Sequence, residues 1–383
     1  MRLGIVGGLL QGTEAAYLAS RAGYQVVVLD RKKAVPAFSL ADTYYSLDVI
    51  EEVDRVKDIF RELDAVLPAT ENRNTLAFLE QVTGELNLPF IFDSAAYDIS
   101  SSKLKSDRLF YELGIPAPLP WPACHFPVVV KPSGLSGSAG VKRAEHSGQL
   151  QRYLDELQAT GQEVVVQEFV SGPSLSMEVI ALAGQARALV CTGLSFDRDY
   201  DCQRVDCPVE INRTIIERLS DISITIAEKL KLTGLMDVEV MLDGKVPKVI
   251  EIDARFPSQT PIAVYHATGI NMVELLAEMF TTRSLPEVEI VVRSSVILEH
   301  IIVTSGYLEL SGEHVLSSVT NLRVEKNFCG ADEALVAFKN SEDWVATLII
   351  KDSTPFRCRA KREGVISEII HKYNLCIKEG ESV

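Results

Sequence analysis

Three stretches of this sequence carry residue types and spacings suited to chemistry on a phosphate. The first, Lys131-Pro132-Ser133-Gly134-Leu135-Ser136-Gly137-Ser138-Ala139-Gly140, follows the apolar run Val128-Val129-Val130. A lysine at a strand end offers a point charge. The flexible loop after it offers backbone N–H groups and the hydroxyls of Ser133, Ser136 and Ser138. It is not a Walker loop, because the lysine precedes the glycines and no Gly-Lys-Ser/Thr follows. The second is Lys103, on a predicted helix over residues 101–113 that stops at Gly114-Ile115-Pro116. The third is acidic: Glu239 in Asp237-Val238-Glu239-Val240-Met241-Leu242, and Glu251 with Asp253 in Glu251-Ile252-Asp253-Ala254-Arg255. Residues i and i+2 of a strand share a face, so Glu251 and Asp253 point the same way. Carboxylates gathered on one face are costly without a cation, and oxygen-only ligands fit Mg²⁺ held between acids and substrate phosphates. Arg255, next on that face, can neutralise a transferring phosphoryl group. Each piece taken alone also has a plain reading: a surface hairpin, a solvated lysine, an alternating solvent face.

A fourth candidate is weaker. Gly7-Gly8-Leu9-Leu10-Gln11-Gly12 follows a short apolar run, and a second β-branched run ends in Asp30. A dinucleotide fingerprint needs Gly-x-Gly-x-x-Gly, but Leu9 stands at the middle glycine and puts a side chain where the pyrophosphate would lie. A nicotinamide site is therefore disfavoured. The turn is read either as structural or as a place where backbone N–H groups and Gln11 meet a small carboxylate.

The elements that must position these residues follow from periodicity. Residues 1–30 read as strand, turn, helix (13–22) and strand, followed by a helix at 54–62, a strand at 65–68, a helix at 75–86 and a strand at 89–92. That alternation implies a parallel sheet with helices on both faces. Four prolines at 116, 118, 120 and 122 then form a stiff connector. A small α+β unit follows, with strands at 128–130 and 164–167 and a helix at 146–159. Further strands are expected at 176–181, 186–192, 237–242 and 246–252, with a helix at 211–230. The chain after Pro286 looks strand-rich, with a final helix at 365–373. The fold class is thus α/β, divided as an N-terminal domain over 1–95, a central domain over 96–285 with a mobile part at about 122–172, and a strand-rich region over 286–383.

Composition narrows the partners. Of 383 residues, 53 are Asp or Glu and 38 Lys or Arg, a net charge of −15. Such a surface repels phosphate backbones and anionic lipid, so nucleic acid and membrane are not expected partners. No apolar run reaches the ~18 residues of a membrane span, and the N-terminal run is too short for a signal peptide's core. Seven scattered cysteines suggest reduced thiols in a cytoplasm.

Taken together, these motifs resemble the ATP-grasp superfamily of carboxylate–amine ligases. Lys103 stands eleven residues before Gly114, matching the family's lysine and Gly-Ile/Val-Pro stretch. Lys131 heads the phosphate loop, and Glu239 followed by Glu251-x-Asp253-x-Arg255 matches the acid and Glu-x-Asn-x-Arg signature, with Asp253 in place of the common Asn. Ser174 stands where some members carry a ribose-binding acid. The resemblance implies an ATP-grasp fold: a Rossmann-like N-terminal sheet, a small lid and a central core. It implies ATP held by Lys103, Lys131, the loop serines and the hinge Gln167-Glu168-Phe169-Val170, Mg²⁺ on Glu239, Glu251 and Asp253, and catalysis by Arg255 and Lys131. Three stretches narrow the likeness to the ligases of pyrrolysine biosynthesis: residues 7–18, residues 200–205, and Glu251 through Pro261, which includes Ser258. This likeness implies an amide between the carboxylate of 3-methyl-D-ornithine, or D-ornithine, and the side-chain amine of L-lysine, by way of an acyl phosphate. Gln11 and Gly12 are then candidates for the lysine carboxylate, Glu71 for gripping the lysine, and Glu178, Asp201 and Arg204 for the diamino acid. Another ATP-grasp dipeptide ligase and a non-catalytic ATP-binding regulator remain alternatives, and a homodimer is left open.

Overall fold

Arg2–Val6, Gln25–Asp30 and Ala65–Pro68 form strands because short β-branched runs are closed by turn residues, and all three pair in parallel. The computed structural model describes residues 1–159, 161–340 and 342–378. Strand alternation divides the apolar side chains between two faces. Val26 and Val28 pack with Ala15, Ala16 and Leu18 of the helix Leu10–Arg21. Val27 and Leu29 pack with Val56, Phe60 and Leu79 of the helices Val53–Phe60 and Arg73–Glu85. Two expectations change here. Residues 89–92 make only an isolated bridge, Val66 to Phe90, because Pro89 has no N–H to continue a ladder. The edge strand is instead Thr43–Ser46, beside Gln25–Asp30. The first helix also starts at Leu10, so Gln11 and Gly12 lie in its first turn rather than in the loop.

The phosphate loop belongs to a three-stranded antiparallel sheet ordered Lys142–Ala144, Val128–Pro132, Val164–Glu168. The helix Ser147–Gln158 covers it, with Val128, Val130, Ala144 and Leu150 buried between them. The acidic strands belong to a separate eleven-stranded sheet that begins Val246–Asp253, Gly234–Asp243, Ser174–Leu182, Gln185–Phe196, Cys202–Cys207. It continues into the C-terminal part through Ser295–Thr304, Trp344–Asp352 and Glu333–Phe338. The helix Arg213–Leu230 packs on one face.

The expected helix over 101–113 begins two residues later, as Lys103–Leu113, and a separate helix, Ser94–Ser100, precedes it. They are separated because Ser102 caps Lys103–Leu113 by accepting from Lys105 N. The final helix runs from Pro355 to Tyr373, its start set by a Thr354 cap and a first-turn proline. Thr260–Thr268 and Met272–Thr282 are further helices. The first is buried nearly all round, so it carries no amphipathic period to read. Among the described residues no helix is long and apolar enough to cross a membrane.

Candidate active site

The helix Lys103–Leu113 begins at the loop after Val128–Pro132, and Lys103 N donates to Ser133 O at 3.0 Å. That contact sets Lys103 and Lys131 beside one cavity of about 600 Å³, between the three-stranded sheet and the edge of the large one. Lys103 Nζ donates to Leu135 O (2.6 Å) and to Glu251 Oε1 (2.9 Å). Lys131 is buried and donates to Ile250 O at 3.1 Å, and burial lowers its pKa against the pull of Glu251. Gln167, Glu168, Phe169 and Val170 line the same cavity. The Glu168 carboxylate is held by Lys248 Nζ at 2.8 and 2.9 Å, which fixes the segment. Ser138 lines the cavity, donating to Tyr200 O at 2.7 Å. Ser133 does not: it is buried, and its hydroxyl accepts from Leu104 N. Arg204 lies on this cavity rather than at an amino-acid pocket, and it is paired with Asp206 at 3.0 Å.

Antiparallel pairing sets Asp237 opposite Asp253 and Glu239 opposite Glu251. Burial, then the neighbouring acids, push Glu239 up to about 8. Burial pushes Asp253 up to about 6, with Arg255 opposing the rise. Among the described residues no three His, Cys, Asp or Glu side chains converge into a ready-made metal site. Lys103 holds Glu251, and Arg255 Nε lies 2.6 Å from Asp253 Oδ2. The donor chemistry nevertheless fits a hard divalent cation. All donors are oxygen, Asp253 Oδ1 is buried without a partner, and the raised acids mark a site short of positive charge. Substrate phosphates would complete such a set.

Beside these acids a small throat of about 120 Å³ opens from the lysine-lined cavity and shares Ser138, Tyr200, Glu239 and Glu251 with it. Its other end shares Ser136, Gly137, Arg255, Ser258 and Glu313 with a third cavity of about 580 Å³ against the N-terminal sheet. Gln11 and Glu71 line that third cavity. Gln11 Nε2 donates to Phe256 O, and Arg255 reaches Glu71 Oε1 at 2.8 Å. Ser136 donates to Glu71 Oε2 at 2.6 Å, tying the phosphate loop to the N-terminal domain. Asp201 lines the throat but is engaged by the backbone and ring of His314.

Two substrate candidates sit elsewhere. Glu178 is wholly buried within the sheet opposite Asp237 and lines none of the three cavities; burial raises it to about 7. Gly12 lets the helix approach the first strand, since a Cβ there would meet Gly7 O at 2.0 Å. Sequence reasoning missed Glu313, on the short turn Glu313–Leu316, because nothing in its spacing links it to Arg255.

A chain with this geometry has close relatives. It is 37% identical to the 3-methyl-D-ornithine–L-lysine ligase of Methanosarcina barkeri over 82% of this chain and 83% of that one. The Methanosarcina mazei protein of the same name is 36% identical over 82% and 81%. The chain belongs to the 3-methyl-D-ornithine–L-lysine ligase family. A family model described as the D-ala D-ala ligase C-terminus matches residues 121–281, which hold the whole of the Lys131–Gly140 loop together with Glu239, Glu251 and Asp253. Solved structures show the same fold. A biotin carboxylase from Campylobacter jejuni, in complex with a β,γ-ATP ligand, superposes with a TM-score of 0.75 at 16% identity, over 96% of this chain and 91% of that one. An L-amino acid ligase from Bacillus licheniformis gives 0.68 at 16% identity, over 96% and 97%.

Proposed function

We propose that the protein is an ATP-dependent ligase of pyrrolysine biosynthesis, joining the carboxylate of 3-methyl-D-ornithine, or of D-ornithine, to the side-chain amine of L-lysine. The observation that carries this reading is the row of three connected cavities. One is lined by lysines and a backbone hinge, one is an acid-rich throat, and one opens between the phosphate loop and the N-terminal sheet. A nucleotide suits the first, phosphoryl transfer the second, and the amine substrate the third. Family membership supports the choice of amino acids.

In this reading Lys103 and Lys131 neutralise phosphate oxygens, and the backbone of residues 167–170 holds the adenine. Glu239, Glu251 and Asp253 would hold Mg²⁺, which supplies charge neutralisation along the phosphates when bound. A substrate carboxylate oxygen attacks the γ-phosphorus, the bond to ADP breaks, and an acyl phosphate forms. Arg255, already held between Asp253 and Glu71, stabilises the charge on the transferring group. The Ser136 and Ser138 contacts hold the loop across the throat and keep water from the acyl phosphate. Phosphate is then displaced by the amine. Residues 1–95 present the amine, 96–285 the nucleotide with residues 122–172 as lid, and 286–383 complete the core. Seven free cysteines suit a cytoplasm, and a homodimer is compatible with the reading.

The test is ADP release by purified protein with ATP, Mg²⁺ and an amino-acid panel. We expect release that requires a D-ornithine-type acid and rises with L-lysine. Release indifferent to every amino acid would sink the ligase reading.

A further inference from the structure

A lysine side-chain amine has a pKa of about 10.4, so roughly one in 2,500 is neutral at pH 7, a deficit of ~4.6 kcal/mol. The site therefore needs a group that receives an ammonium and takes its proton. Amide formation must occur where the throat meets the amine cavity, and five residues line both: Ser136, Gly137, Arg255, Ser258 and Glu313. Arginine stays protonated and serine hydroxyls are too weakly basic, so Glu313 alone among them offers a base.

Of the other acids lining the throat, Asp237 and Glu239 do not reach the third cavity, and the rest are engaged. Arg255 holds Glu71 and Asp253, His314 engages Asp201, and Lys103 holds Glu251. Glu313 Oε2 is buried with no partner. The Ser258 and Gln259 side chains hydrogen-bond to the Glu313 carboxyl group, which fixes its orientation. Gln259 is itself held by His300 Nε2 at 3.1 Å, and His300 Nδ1 meets Thr347 Oγ1 at 2.8 Å. Around Glu313 stand Glu14 from the first helix, Glu239 from the acidic strand, Asp201, Cys202 and Arg255. Burial first, then Asp201, raise its carboxyl above the ordinary value, while Ser258, Gln259 and Arg255 oppose the rise. The net shift makes this carboxylate a stronger base than an ordinary glutamate.

We propose that Glu313 is the general base of amide formation: its Oε2 receives the ε-ammonium of the lysine substrate and takes one proton. The freed nitrogen lone pair forms the C–N bond, and the C–O bond to phosphate breaks with its electrons going to phosphate. The second N–H proton leaves with that phosphate. This role rests on the ligase reading above.

The experiment compares two nucleophiles at pH 7. Hydroxylamine is weakly basic and arrives neutral, so it needs no base to capture the acyl phosphate. In Glu313→Gln, lysine-dependent amide formation should fall about 10²–10⁴-fold while hydroxamate formation stays within about twofold. Glu313→Asp, which keeps the acid, should recover part of the lysine rate; it also serves as the test if the Gln variant does not fold. An equal loss with both nucleophiles would assign Glu313 a structural role, and an unchanged lysine rate would remove it from the mechanism. Either result overturns the proposal. Wild-type protein that makes neither product overturns the ligase reading, and the role of Glu313 with it.

Discussion

Arg255 stands between Asp253 and Glu71, two anions that hold it at the mouth of the throat without a phosphate present. Removing it should leave the cavity proposed for the nucleotide intact, since it does not line that cavity. Arg255→Ala is therefore expected to keep nucleotide affinity and lose about 10²–10³ in turnover. Calorimetric binding beside an ADP-release assay checks this, and preserved turnover would refute the role. A second residue-scale consequence concerns pH. Burial holds Glu14 at about 8 while it accepts from Ile262 N at 2.7 Å. Below the unfolded value of 4.5 both states are protonated and the contribution is intact. As pH rises toward 8 the unfolded chain releases the proton first, so stability falls, by as much as about 1.4 kcal/mol per pH unit. Glu14→Gln should flatten that fall between pH 5 and 8 in urea melts; parallel curves for the two proteins would contradict it. The two lysines and the acid ladder could be read as one constellation because order and strand alternation locate them. Glu178 could not be placed, because alternation says which residues share a face but not whether that face meets a cavity. Glu313 could not be found, because only the folded chain brings its short turn to Ser258.

At the scale of elements, three strands of the parallel N-terminal sheet were legible because each short apolar run ends in a turn signal, while the edge strand Thr43–Ser46 was not. The helix Thr260–Thr268 was not, because its buried surface runs nearly all round and Pro261 in its first turn resembles a breaker. The start of the final helix was missed because its first half is mostly polar and exposed. The close approach of the first helix to its strand rests on Gly12. Gly12→Ala would force a Cβ to 2.0 Å from Gly7 O, a backbone atom that cannot swing aside. We expect a loss of about 1–3 kcal/mol or more in thermal unfolding. Amine-substrate affinity should fall with it, because Gln11 and the Gly7 turn line the cavity proposed for the amine. An unshifted melting temperature would show that the helix can slide.

At the scale of the molecule, the site is a junction. The helix Leu10–Arg21 and the loop after Ala65–Pro68 bring Gln11 and Glu71, the three-stranded sheet brings the loop over residues 133–140, and the large sheet brings the acids and Arg255. The strand pairing of Cys202–Cys207 with Ser295–Thr304 joins the C-terminal part to that sheet, and His300 on the latter strand supports Gln259 beside Glu313. The N-terminal helix is tied to the same C-terminal part through Arg21, Tyr17 and the buried Glu333. The net charge of −15 therefore describes what the surface repels, while Lys103, Lys131 and Arg255 supply the opposite sign where the three sheets meet. The most direct test of this arrangement is mass detection of product after incubation of the protein with ATP, Mg²⁺, D-ornithine and L-lysine. We predict a species at the summed mass of the two amino acids less one water, with one ADP formed per amide; ADP without that species, or no ADP with any diamino acid, would contradict the account.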